Sequence, residues 1–157
     1  MAERNGARKR NERDPLRLLA GIDFSRHSLA ALESARDLAR RTGASLTIAH
    51  VRPSSDIRAA VQENRGDLLG MPAGRLRREI DAHYESKLEG LRLAGESTKL
   101  LRGPSGAQLV REASRGYDYL VVGRRGLGSV AAALIGSTAQ EALHSSPIPV
   151  LVFPSRS

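Results

Sequence analysis

Between Tyr119 and Thr138 the chain reads YLVVGRRGLGSVAAALIGST, an apolar run that opens into glycines. Leu120, Val121 and Val122 deliver Gly123; Gly126 follows after two residues and Gly136-Ser137 after nine more. A buried strand that runs into glycines, with a helix start downstream, exposes backbone N–H groups to an anion. The chemistry such a segment suits is cradling the phosphate chain of a nucleotide. The same residues also have a ligand-free reading. Gly123 and Gly126 can serve a strand-to-loop turn that needs glycine, and Ser137 with Gln140 spells a capping box, S-x-x-Q.

Other side chains add to the first reading. Arg124 and Arg125 are forks suited to phosphate oxygens, and adjacent side chains diverge, so one of the two is expected to point away. Asp23 closes an apolar run and can accept hydrogen bonds from sugar hydroxyls; it can equally serve as a cap or charge at a helix N-terminus. Machinery for phosphoryl transfer is missing from the pattern: there is no G-x-x-x-x-G-K-[ST], no kinase catalytic loop and no paired aspartates beside the glycines. Glu141 reads as an exposed first-turn carboxylate. His27, His50, His83 and His144 lack metal-ligand spacing, and His50, at a strand end, reads as packed or hydrogen-bonded. No catalytic residue and no metal ligand is assigned.

The elements that must position these residues alternate in type. Residues 1–14 (MAERNGARKRNERD) are polar and aperiodic and read as a disordered basic arm, residues 15–154 as a single domain, and 155–157 as a tail. Leu16 to Ile22 suits a buried parallel strand. Ser25 can cap a helix carrying Leu29, Leu32, Ala35, Leu38 and Ala39 on one face, stopped by Gly43. Ser45 to Val51 reads as a second strand. Arg52 to Pro72 reads as a loop with a helical turn around 57–61. A helix over 74–93 aligns Leu76, Ile80, Tyr84, Leu88 and Leu91. Thr98 to Leu101 is a weak third strand, and Pro104-Ser105 starts a helix that ends at Gly116. Tyr119 to Val122, a short helix over Ser137 to His144, and Val150 to Phe153 complete the series. Strand-helix alternation predicts an α/β fold, a doubly wound parallel sheet whose ligand sits beyond the strand C-termini, where Asp23, Val51 and Gly123 all fall.

Composition narrows the class. At 157 residues one domain with its own core is expected. There is no cysteine, so neither a disulfide framework nor a thiol nucleophile is possible. No leader-like or membrane-spanning apolar run stands out, and a cytoplasmic protein is expected. The net charge of +8 raises nucleic acid as a partner. However, the arginines are scattered and aromatics make up only 3%, too few for stacking platforms. Nucleic acid is therefore not the expected partner.

Taken together, these landmarks resemble the universal stress proteins, in particular their nucleotide-binding branch. The signature G-x2-G-x9-G-[ST] is matched by Gly123, Gly126, Gly136 and Ser137; Asp23-Phe24-Ser25, His50-Val51 and the ending P-x-P-V-L-V (Pro147 to Val152) are similar too. The resemblance spans about Leu16 to Pro154. It implies a five-stranded sheet of order 3-2-1-4-5 with helices on both faces, and ATP (or ADP or AMP, with its Mg2+) across strands 1, 2 and 4. It also implies a nucleotide site of Gly21, Ile22, Asp23, Val51, Val122, Gly123, Arg125, Gly126, Gly136, Ser137 and Thr138. In it Asp23 meets the ribose, the Val51 backbone the adenine edge, Val122 and Gly123 the nucleoside, and the remainder from Arg125 onward the phosphates. Ala139 stands where many members carry a second hydroxyl, which puts one phosphate contact in doubt. A homodimer through the C-terminal strand is implied as well. The function expected is an ATP-binding regulatory module of the stress response with at most weak hydrolysis. The alternatives are a slow ATPase or autophosphorylating enzyme, and a nucleotide-free protein that binds partners or RNA.

Overall fold

The computed structural model describes residues 14–52, 72–125 and 135–154. Gly126, the basic arm through residue 13, the tail and the turn expected at 57–61 lie outside the described residues. In chain order the elements are β1 (Arg17–Ile22), α1 (Arg26–Thr42), β2 (Ser45–Arg52), α2 (Ala73–Leu91), β3 (Ser97–Arg102), α3 (Ser105–Ala113), β4 (Tyr119–Gly123), α4 (Ser137–Ser145) and β5 (Val150–Phe153). The strands form one parallel sheet of order β3-β2-β1-β4-β5, as the resemblance implied.

Strand periodicity decides how the two layers of helices attach. Successive side chains of β1 point to opposite faces. Leu18, Ala20 and Ile22 pack with Leu32, Ala35 and Ala39 of α1 and Leu88 of α2. Leu19, on the other face, packs with Leu109 and Ala113 of α3 and Ala139 and Ala142 of α4. Both faces of β1 are thus covered, which is why its sequence is a continuous apolar run rather than an alternation. Gly21 shares the second face, and Leu109 occupies the space its side chain would take: a Cβ there would lie 2.6 Å from Leu109 Cδ1. This glycine lets α3 approach the sheet.

Helix ends follow the expected signals closely at α1. The Ser25 hydroxyl accepts from the Ser28 N–H, and Gly43 adopts the left-handed conformation at the C-terminus with φ 68°. On α2 the expected stripe holds, with Leu76 and Leu88 buried and Ile80, Tyr84 and Leu91 half-buried. Strand β2 runs one residue further than expected because Arg52 pairs with Arg102 in the ladder. The Arg52 side chain is buried, and its Nε donates to Asp81 on α2 at 2.5 Å. A charged residue ends the strand inside the protein because a carboxylate meets it there.

Among the described residues no helix is long and apolar enough to cross a membrane.

Candidate functional site

Because β2 and β3 lie to one side of β1 and β4 and β5 to the other, the chain order reverses between β1 and β4. Open α/β sheets place their crevice at that point, beyond the strand C-termini. Register brings the relevant ends level. Gly21 pairs with Val122, Ile22 with His50, and Gly123 with Phe153.

The β1–α1 turn is built from short polar bonds around a strained residue. Asp23 Oδ1 accepts from the Ser25 N–H at 3.0 Å, and the Asp23 N–H donates to Ser28 Oγ at 3.2 Å. Asp23 therefore does serve the helix start, one of its two expected roles, while staying half-buried at the strand end. Phe24 has φ 61°, the one positive φ of a non-glycine residue among the described residues. An L-residue pays about 1–2 kcal/mol for that conformation. Sequence reading found no sign of it.

At the end of β2 the His50 ring is buried, and its Nδ1 donates to the Ile22 carbonyl at 2.9 Å, which sets the tautomer. His50 is thus the packed, hydrogen-bonded histidine expected. Ile22 and Val51 are buried with their side chains in the two cores, so what they offer the crevice is backbone. Val122 is likewise buried.

At the end of β4, Gly123 lies against α1: a Cβ built on it would be 3.0 Å from the His27 carbonyl oxygen and 3.2 Å from that of Arg125. The Arg124 N–H donates to Phe153 O at 2.9 Å, and the Arg124 carbonyl accepts from the Gly136 N–H at 2.8 Å. The backbone of one residue, Arg124, thus joins β4 to the tip of β5 and to the start of α4. The first and last glycines of the signature are brought to the same end of the sheet by that bond.

Helix α4 does not start as a capping box. Gly136 is the N-cap, no side chain caps the helix, and Ser137 is its first residue. The first intrahelical bond comes from the Gln140 N–H to Gly136 O at 2.9 Å. The N–H groups of Ser137, Thr138 and Ala139 thus have no partner within the helix, and they carry the positive end of its dipole. Ser137 is exposed and Thr138 half-buried. Glu141 is exposed, as expected, though it lies just past the first turn of α4, and it also leans against α3, where a Cβ on Gly106 would meet its Cδ at 2.6 Å.

Four arginines among the described residues are not fully exposed: Arg36, Arg52, Arg124 and Arg125. Arg36 is paired with Glu96 and Arg52 with Asp81. Arg124 and Arg125 are different: the Nε of each is buried without a hydrogen-bond partner, and neither makes an ion pair among the described residues. Two partly buried cations without a counter-charge are costly unless an anion reaches them. No group of three His, Asp or Glu able to hold a metal occurs among the described residues.

Fold and strand order define a doubly wound α/β protein whose topological switch falls between β1 and β4. The chain belongs to the universal stress protein family, whose model matches residues 16–154. It is 30% identical over 141 residues to a universal stress protein from Thermus aquaticus, covering 86% of this chain and 96% of that one. Among solved structures it resembles hypothetical protein MJ0577 with a TM-score of 0.71 and 20% identity, covering 90% and 97% of the two chains. A universal stress protein solved in complex with cAMP matches with a TM-score of 0.57 and 24% identity, over 90% and 98% of the chains. At these identities the likeness to solved structures is one of fold.

Proposed function

We propose that this protein binds an adenine nucleotide, ATP with its Mg2+ in the first instance, and acts as a nucleotide-dependent regulatory module of the stress response in the cytoplasm. The observation that carries the proposal is the pair of partly buried arginines, Arg124 and Arg125, whose Nε atoms have no hydrogen-bond partner and which form no ion pair among the described residues. They stand on the segment that hydrogen-bonds the open N-terminus of α4. Three N–H groups without a partner inside the helix and two cationic forks make an environment suited to a phosphate chain.

In this reading Arg125, Gly126, Gly136, Ser137 and Thr138 hold the phosphates, joined by Arg124. Gly123 lets the ligand approach the backbone beside Val122. Asp23 receives the ribose hydroxyls next to Gly21 and Ile22, and the backbone of Val51 meets the adenine edge. With no protein metal cluster among the described residues, Mg2+ belongs with the phosphates and water. The cyclic nucleotide held by one structural neighbour shows that a protein of this fold can take an adenine nucleotide. The sequence carries no phosphoryl-transfer motif, so turnover is proposed to be slow or incidental.

The second chain of a homodimer is proposed to join at β5, which pairs with β4 on one side only and leaves Val150 to Phe153 half-buried.

The test is to denature the purified protein and separate the supernatant by ion-pair chromatography, beside a Gly123→Asp, Gly136→Asp variant. ATP released by the wild type and absent from the variant supports the site, and a time course of ADP then measures hydrolysis. An empty protein with no thermal shift in millimolar Mg-ATP sinks the reading in favour of partner binding.

A further inference from the structure

The most strained described backbone outside glycine lies beside Asp23, and something must hold it there. Phe24 occupies the left-handed region at φ 61° where glycine would sit without strain. Its ring is gripped on several sides. The His50 ring lies 4.8 Å away, centroid to centroid, and the Tyr84 ring is stacked at 6.1 Å. His50 and Tyr84 touch each other at 4.6 Å, and the Lys87 ammonium sits 4.2 Å from the Phe24 centroid. Tyr84 and Lys87 belong to α2, whereas His50 is anchored to β1 by its bond to the Ile22 carbonyl.

We propose that Phe24 is a positioning residue for the sugar end of the nucleotide site, clamped by α2. The clamp keeps the β1–α1 turn in its strained form. That form aims the Asp23 carboxylate and holds Ser25 and Ser28 in their bonds to Asp23. The packing of α2 on Phe24 thereby sets how well the protein distinguishes a ribose-bearing ligand from a bare phosphate chain. This rests on the nucleotide reading above; the clamp itself can be tested without it.

The experiment compares Phe24→Ala, Phe24→Gly and Lys87→Met with wild type in two measurements. The first is hydrogen exchange at the Ser25 amide, which bonds Asp23 Oδ1. The second is affinity for ATP against inorganic tripolyphosphate. Alanine removes the ring but keeps the strain, whereas glycine removes both. Phe24→Ala is expected to lose Ser25 protection and at least tenfold in ATP affinity, Phe24→Gly to lose about two- to threefold, and Lys87→Met to fall in the same direction. Tripolyphosphate affinity is expected to stay within twofold throughout. A purely packing role predicts the reverse order, glycine no better than alanine, and that result overturns the proposal. So does an equal loss of both ligands, or unchanged Ser25 protection in Phe24→Ala. If wild type binds neither ligand the nucleotide reading fails and the sugar-end role with it, while Ser25 exchange still decides whether the clamp exists.

Discussion

Gly123, the last residue of β4, lies so near the carbonyl oxygen of His27 that a Cβ on it would stand 3.0 Å away, tighter than side chains ordinarily come. The contact at 3.0 Å is with backbone in the first turn of α1, which cannot swing aside as a side-chain tip could. Gly123→Ala is expected to destabilise the protein by about 1–3 kcal/mol and to weaken nucleotide binding with it. Thermal unfolding with and without Mg-ATP measures both. Gly90 offers the control: nothing lies within 4 Å of a Cβ there, so Gly90→Ala near the end of α2 is expected to be neutral or to stabilise by about 0.5 kcal/mol.

Arg124 and Arg125 make opposite predictions for folding and for binding. Since neither guanidinium Nε has a partner, Arg124→Gln and Arg125→Gln are expected to leave the melting temperature unchanged or slightly raised. Each is expected to lower ATP affinity by about 10- to 100-fold, the worth of a charge-assisted hydrogen bond of roughly 1.5–3 kcal/mol. Calorimetric titration decides this. A melting temperature that falls while affinity holds would assign the arginines to the fold instead.

The link between α1 and the α2–β3 turn is an ion pair of a different kind. Arg36 Nε and Nη2 donate to the two carboxylate oxygens of Glu96 at 2.7 and 2.8 Å, and Nη2 also reaches the Leu91 carbonyl at 2.6 Å. The Leu93 N–H donates to the same carboxylate at 2.8 Å. Burial by itself pushes the Glu96 carboxyl up, but the Arg36 hydrogen bond and the Leu93 N–H outweigh it, so the group lies below its ordinary value near 4.5. A carboxylate lowered by folding contributes stability above that ordinary value and loses it as pH falls through the folded value. Stability measured from pH 7 downward is therefore expected to drop below about pH 4.5, and less steeply in Glu96→Gln. At pH 7 that substitution is expected to cost about 2 kcal/mol, or ~4–8 °C in melting temperature, because the half-buried Arg36 keeps only the exposed Glu33 as counter-charge.

For the edge strand the expected outcome is association. Sedimentation at tens of micromolar is expected to give the mass of two chains, and Val152→Lys, a charge set into half-buried β5, to give one while circular dichroism shows the chain still folded. A wild-type monomer at that concentration counts against pairing through β5.

Much of this protein was legible in its linear order. The apolar run of β1, the Ser25 and Gly43 signals of α1 and the stripe on α2 follow from periodicity and capping, which are local properties of chain geometry. The glycine signature raised an anion site as an expectation, because glycine spacing and a following helix are local too. Strand order was not derivable from the residues in isolation; it entered through the resemblance, since which strands become neighbours depends on how both faces of the sheet are covered.

Tertiary structure alone decided the rest. Whether a given arginine is paired cannot be read from its neighbours in sequence: Arg52 meets Asp81 from another element, and Arg124 and Arg125 meet no carboxylate among the described residues. Ser137 and Gln140 spelled a capping box that does not form, because Gly136 takes the cap position while bonded to Arg124. Glu141 found Gly106 on a separate helix, and Phe24 was held in the left-handed region by side chains from β2 and α2. Sequence determines what each segment can do on its own. Charge pairing, strain and close approach are properties of pairs brought together by folding, and their energies depend on distance and burial that no linear pattern contains.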